Sequence, residues 1–393
     1  MKRRTFLKNT SLASAALFAP AFLQQPRLST NGKLFIVVQL SGGNDGLNTI
    51  IPYRHDKYYE LRPDLAIPRA EVLGLTDELG LHPALADLRG LYDDGHLSIV
   101  NNVGYPNPNR SHFRSMDIWQ TAADSRDYLT TGWLGRYLDS QCAGCESPHH
   151  ALELGQGLSL ALKGQNRQGF AMNDIQQMER TNRNPLLQYL AQQPAHDHEH
   201  EHVAYLYKTL LETQSSTAYL LEQTAGQRTR TNFPATPFGR DLRQVADLIL
   251  AGCNSQVYYV SLGGFDTHAN QAGTQGRLLS VYAEGMKALA TELKQHNLWQ
   301  DTLVLTFSEF GRRVAQNGSR GTDHGAASNL FLLGGNLRQG GIYNAGPNLL
   351  DLNEGDLKYE IDFRQAYATV LDRWLGADAQ AVLGQRFDLL GML

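Results

Sequence analysis

Cysteine is scarce, three residues in 393, which leaves no room for a disulfide framework. Charge of one sign is lacking as well. A formal net charge of -4 and a pI near 6.3 give no basic footprint, and this argues against nucleic acid or an anionic membrane surface as partner. Beyond the N-terminal segment no apolar run reaches the roughly 20 residues of a membrane span, and mean hydropathy is -0.36. The mature chain is therefore expected to be soluble, with no stable membrane span. Internal repeats and coiled-coil heptads are absent, which argues against solenoids and long paired helices. What remains after the leader, roughly 360 residues, suffices for one large or two medium domains with a substantial core.

The first 32 residues read as a targeting segment and linker. Arg3-Arg4-Thr5-Phe6-Leu7-Lys8 resembles the twin-arginine export signal. Residues 12–23 are mildly apolar, and Ala19-Pro20-Ala21 offers a small-residue cleavage pattern. The other reading is a basic start on an ordinary helix. Export would place the protein in the periplasm or outside the cell, with the twin-arginine translocase as partner and with metal loaded before transport. Cys142-Ala143-Gly144-Cys145 has the spacing of a tight disulfide, a redox pair or half a zinc site; without a second pair, a disulfide or two plain thiols fits best. Cys253 precedes a strand and is expected near the core.

Residues 33–393 show the alternation of an α/β domain with a mostly parallel sheet flanked by helices. Residues 34–40, 97–103, 256–262, 303–307 and 329–333 are short apolar runs that read as buried strands. Helical periodicity covers 81–92, 112–139, 203–224, 238–251, 278–296 and 363–375. The stretch from about 140 to 235 is poor in apolar runs and rich in Gln, Thr, Asn and His, and it reads as a polar insertion or cap. Within it, the alternating imidazoles and carboxylates of residues 196–202 form either a solvated segment or a loose trap for transition metals.

Five polar clusters follow along the domain: Asn44-Asp45, Ser111-His112, Asp266-Thr267-His268, Ser308-Glu309 and Asp323-His324. The first, third and fourth come directly after apolar strands, at the ends where open α/β sheets bind ligands. Each has a structural alternative. Asp45 in its Gly-rich turn and Ser111 before a helix both suit N-caps, although a serine at that place also gains from the helix dipole. Asp-x-His triplets often only shape turns, Glu309 beside Arg312 and Arg313 suits an ion pair, and His324 suits a backbone hydrogen bond. Their joint order carries more weight than any one of them, and carboxylates gathered with imidazoles suggest a metal.

The segments Gln39-Leu40-Ser41-Gly42-Gly43-Asn44-Asp45-Gly46-Leu47-Asn48-Thr49, Arg110-Ser111-His112-Phe113, Gly264-Phe265-Asp266-Thr267-His268 and Ser308-Glu309-Phe310-Gly311-Arg312 resemble a bacterial family of twin-arginine-exported proteins of unknown function. That family is a distant branch of the alkaline phosphatase and sulfatase superfamily. The resemblance runs from about Lys33 to the C-terminus. It implies an alkaline phosphatase-like sandwich and one or two divalent metals (zinc, magnesium, manganese or calcium) beside a Ser, Thr or formylglycine nucleophile. Its substrates would be phosphate or sulfate esters, small or glycan. By similarity Ser111 fits the nucleophile, Asp45, Asp266, His268, Glu309 and His324 fit metal ligands, and Asp323 or His112 completes a second site. Arg312 or Arg110 would pair with the ester oxyanion. Phe310 departs from the pattern, since it stands where a histidine ligand is expected. The alternative is an exported binding or scaffold protein that keeps the fold without catalysis.

Overall fold

A continuous apolar strand needs cover on both faces, and β1 (Leu34–Ser41) obtains it. Ile36, Val38 and Leu40 enter one core while Phe35 and Val37 enter another, because successive side chains leave a strand on opposite sides. The computed structural model describes residues 32–141, 148–192, 201–226 and 228–393. The leader, the Cys142–Cys145 pair and most of the His-rich tract lie outside the described residues. Besides β1, the main sheet contains β2 (Leu97–Gly104), β3 (Ala151–Leu154), β4 (Phe170–Met172), β5 (Val257–Gly263), β6 (Thr302–Phe307) and β7 (Ser328–Gly334). Their spatial order is β2-β7-β6-β1-β5-β3-β4, with the short strands Gly341–Ile342 and Ile361–Asp362 both beside β2.

Every pairing is parallel except the two made by β7, which runs antiparallel to both β6 and β2. The reversal matters for the site. It brings the start of β7, Ser328, opposite Val103 near the end of β2. The loop leading into β7 therefore meets the loops leaving β1, β2, β5 and β6 at one rim.

Helices cover both faces. On one side lie α1 (Ala86–Asp93), α5 (Pro237–Leu250) and α6 (Gln271–Gln295); on the other, α2 (His112–Thr121), α3 (Trp133–Gln141) and α7 (Phe363–Thr369). The second core is aromatic: Trp119 stacks on Phe363 at 4.2 Å and on Phe307 at 4.9 Å, and Trp133 stacks on Tyr367 at 4.2 Å. Such rings bury large apolar areas and fix the helices against the sheet. Between α3 and α5 runs α4 (Glu201–Thr224), which reaches the first core through Leu220.

Several expectations need adjustment. The helical pattern over 112–139 breaks at Ala122, whose left-handed φ of 55° ends α2. The pattern over 81–92 starts late, because Leu81 belongs to a short strand and Pro83–Leu85 forms a tight turn before α1. The stretch 140–235 does not stand apart from the sheet, since β3 pairs with β5 and β4 with β3. After α7 the chain continues as a π-helical turn, Val370–Trp374, with Trp374 buried. Cys253 is half-buried and free, and burial pushes its thiol up to about 12.

A buried carboxyl on β3 gives a pH signature. Burial raises Glu153 to about 7, against the lowering effect of the Ser159 N–H that its Oε2 accepts at 2.6 Å. The folded protein therefore keeps a proton that the unfolded chain releases near pH 4.5, so stability falls as pH rises from about 4.5 to 7. Glu153→Gln is expected to leave the melting temperature unchanged at pH 4.5 and to raise stability at pH 8 by up to about 3 kcal/mol. Parallel pH–melting curves for the two proteins would refute this.

Candidate metal centre

The loop leaving β1 can approach its neighbours only as glycine. Gly42 and Gly43 have φ of 117° and 75°; a Cβ on the first would lie 2.4 Å from the Asp266 nitrogen, and one on the second 2.3 Å from the Phe310 ring. Gly42 N–H donates to Glu309 Oε1 at 2.8 Å, and Asn44 N–H to Ser308 Oγ at 2.8 Å. These contacts dock the loops after β1, β5 and β6 on one another.

At that junction one carboxylate oxygen gathers three imidazoles. Asp266 Oδ1 lies 3.0 Å from His268 Nε2, 3.2 Å from His324 Nε2 and 3.3 Å from His112 Nε2. The His268 and His324 Nε2 atoms are 2.9 Å apart. Each ring is oriented from its far nitrogen: His324 Nδ1 faces the Arg110 carbonyl at 2.7 Å, His112 Nδ1 faces Glu309 Oε1 at 2.9 Å, and His268 Nδ1 faces Asp323 Oδ1 at 3.4 Å. Acceptors at all three outer positions assign the protons to Nδ1 and aim three Nε2 lone pairs at one carboxylate. Acceptor atoms this close repel unless a cation sits among them. His112 Nε2 is buried without a hydrogen-bond partner among the described residues. Ligand atoms of His112, Asp266 and His324 lie within 4.8 Å of one another, so the residues present fit a divalent ion. Imidazole and carboxylate donors suit zinc and its first-row neighbours.

Without a cation the same contacts favour positive charge on the imidazoles. The hydrogen bond to Glu309 raises His112 above the ordinary histidine value against its burial, with the charges of Glu309 and Asp266 adding to the rise. For Asp266 burial acts upwards, but the hydrogen bond from Arg312, the close His324 ring and the Arg312 charge outweigh it and hold the carboxyl far below the usual range. Asp323 is lowered by its hydrogen bond from Asn317 and by His268.

The other expected residues occupy different places. Glu309, fully buried, stands behind His112 and receives the Gly42 N–H. Asp323 stands behind His268 in the same way. Asp45, expected among the ligands, has its charge taken by Arg62, whose Nη1 is 2.6 Å from Asp45 Oδ2. Arg312, expected to hold the ester oxyanion, is spent on the protein itself. Its Nε donates to the Gly43 carbonyl at 2.7 Å, its Nη1 to Thr322 at 2.9 Å, and its Nη2 to Gly42, to Phe265 at 3.0 Å and to Asp266 Oδ1 at 2.8 Å.

Phe310 packs its ring against His112 at 4.8 Å and His324 at 4.7 Å, an apolar floor where a histidine ligand was expected. Ser111 is the N-cap residue of α2, yet its side chain makes no cap bond, and it is exposed. It stands between Arg110, whose carbonyl orients His324, and His112. Sequence reasoning missed Arg62, Gln271 and Thr322, a buried polar set around Asp45; nothing in their spacing signals it.

A family profile matches residues 32–386, over most of the chain, under the description "Protein of unknown function (DUF1501)". The chain belongs to the DUF1501 family. No curated protein matches it. Solved structures similar to this DUF1501 chain include PsFucS1 sulfatase from Pseudoalteromonas sp., at 11% identity over 91% of this chain and 70% of that one, with a TM-score of 0.40. The C-terminal periplasmic domain of EcEptC from Escherichia coli shows 10% identity over 90% and 86%, with a TM-score of 0.38. A protein in the alkaline phosphatase superfamily from Vibrio parahaemolyticus shows 9% over 90% and 69%, with a TM-score of 0.34.

Proposed function

We propose that this DUF1501 chain is an exported, metal-dependent hydrolase of phosphate or sulfate esters, with Ser111 as nucleophile. The observation that supports it is the convergence of three Nε2 atoms on Asp266 Oδ1 immediately beside an exposed serine at a helix start. A divalent cation bound there would lower the pKa of a nearby hydroxyl and polarise the ester. Ser111 Oγ would attack phosphorus or sulfur, its proton leaving with the departing alcohol, and water would then hydrolyse the phospho- or sulfoserine ester, releasing phosphate or sulfate and regenerating the hydroxyl. The positive end of α2 favours an anion at this point.

Arg110 takes the oxyanion role, since the Arg312 side chain is fully buried and held by the protein's own acceptors. One Nη2 contact ties Arg110 to buried Asp356, and the side chain stays 37% exposed. It lines an open depression of about 420 Å³ with Asn107, Pro108, Asn109, Asn353 and Glu354. This gives an ester room on the Arg110 side of Ser111.

The test is metal content and turnover of the purified chain. We expect one divalent cation per chain, hydrolysis of p-nitrophenyl phosphate or sulfate, loss of activity with a chelator and its return with metal. Bound metal without turnover of either ester would favour the second reading, an exported binding protein, which the apolar Phe310 floor supports. Failure to bind any divalent metal would sink the reading. Export is part of the proposal: Arg3→Lys with Arg4→Lys should retain the protein in the cytoplasm, as read by cell fractionation, and unchanged export would refute the twin-arginine route.

A further inference from the structure

We infer that Asp45 is a positioning residue for the metal ligand His324, acting through Gln271 and Thr322, with Arg62 as its permanent counter-cation. The inference rests on the metal reading above.

The connection is continuous and buried. Thr322 Oγ1 donates to Gln271 Oε1 at 2.6 Å, and Gln271 Nε2 donates to Asp45 Oδ2. The two hydrogen bonds fix which way the Gln271 amide faces, since its oxygen meets a hydroxyl and its nitrogen a carboxylate. Gln275 Nε2 holds the Asp45 carbonyl at 3.0 Å, and Thr49 Oγ1 holds it at 2.7 Å. Asp45, Gln271, Gln275 and Thr322 are all at most 2% exposed.

Thr322 is the hinge pin of the loop before β7. Its N–H donates to the Thr267 carbonyl at 3.3 Å, between ligands Asp266 and His268, and its own carbonyl accepts from Arg312. Two residues on stands His324. A shift of Thr322 therefore moves the late imidazole relative to the Asp266–His268 turn, which is the distance a bound ion reads.

Arg62 explains why Asp45 needs no metal. Both side chains are essentially inaccessible, 0% and 1%. Arg62 also donates to Asn48 Oδ1 at 2.9 Å and to the carbonyls of Val314 at 2.7 Å and Arg313 at 2.8 Å. A guanidinium with this many acceptors is held in place. The remaining Asp45 oxygen, Oδ1, is buried without a hydrogen-bond partner among the described residues. Direct ligation through that atom is the competing role for Asp45, and the test separates the two.

The experiment measures Co²⁺ and Zn²⁺ affinity of the metal-stripped full chain by chelator competition, together with the visible Co²⁺ spectrum and the melting temperature of the stripped protein. The variants are Thr322→Val, Asp45→Asn and the double. Thr322→Val is expected to weaken binding by roughly 10- to 100-fold, the usual effect of losing an outer partner of a ligand, and to shift the Co²⁺ bands. Asp45→Asn should do the same, and the double variant should lose no more than the worse single, because both act along one path. Should Asp45→Asn fail to fold, Thr322→Val still decides.

Wild-type affinity and spectrum in Thr322→Val, with only a lower melting temperature, would overturn the inference. So would loss of affinity in Asp45→Asn alone, which would make Asp45 a ligand, or two metals per chain in the wild type. A wild type that takes up no metal would instead overturn the metal reading beneath it.

Discussion

Ser111→Ala is expected to lower ester hydrolysis by about a thousandfold or more, while the variant keeps its metal and its stability. The second half of that expectation comes from geometry. A serine at an N-cap normally satisfies a helix N–H, and its loss then costs about 1 kcal/mol. Here the hydroxyl makes no cap bond and the residue is exposed. Removing it leaves no buried donor unpaired, so stability should stay within about 0.5 kcal/mol. His112 and the Arg110 carbonyl, on either side, are untouched. Turnover, metal content and denaturant midpoint together read the outcome. Retained turnover would remove Ser111 from the chemistry, and a clear loss of stability would return it to a capping role.

Arg312→Met should have the opposite profile, a folding and metal defect in one. The guanidinium satisfies the carbonyls of Gly42, Gly43, Phe265 and Thr322 and pairs with Asp266. A buried acceptor left alone costs about 1–3 kcal/mol, so four of them imply a loss of at least about 4 kcal/mol. Asp266 loses its strongest charged partner as well, and metal affinity should fall with it. Arg312→Lys should rescue little, because one ammonium cannot reach acceptors spread over three loops. Denaturant midpoints and chelator competition check both effects. A stable Arg312→Met variant whose only change is a raised KM would reinstate the substrate contact expected from the resemblance.

The contrast between these residues shows what was readable. Strands β1, β2, β5 and β6 announce themselves because most of their residues are buried and each is built round a short apolar, β-branched or aromatic run. Strands β3 and β4 are four and three residues long, too short for any period to emerge, so the segment holding them looked like a polar insertion. The order of Asp266, His268 and His324 along the chain pointed to one rim, and the rim exists because of the strand ends. The roles within it were less legible. Whether a carboxylate meets a metal or an arginine depends on what folds against it, and Arg62, which takes Asp45, lies in a loop with no pattern of its own. Arg312 beside Glu309 looked available for substrate because hydrogen bonds to backbone carbonyls leave no trace in residue types. Phe310 stands in the sequence where a ligand is expected, and the packing makes it a wedge beneath two imidazoles.

Arg110 and His324 touch across 214 positions of sequence, and His112 and Glu309 across 197. A nascent chain that ends before residue 324 lacks the late imidazole, so under the metal reading proposed above the site is completed only after most of the domain has been made. Were the chain exported already folded, as proposed above, taking up its cation would then come before transport.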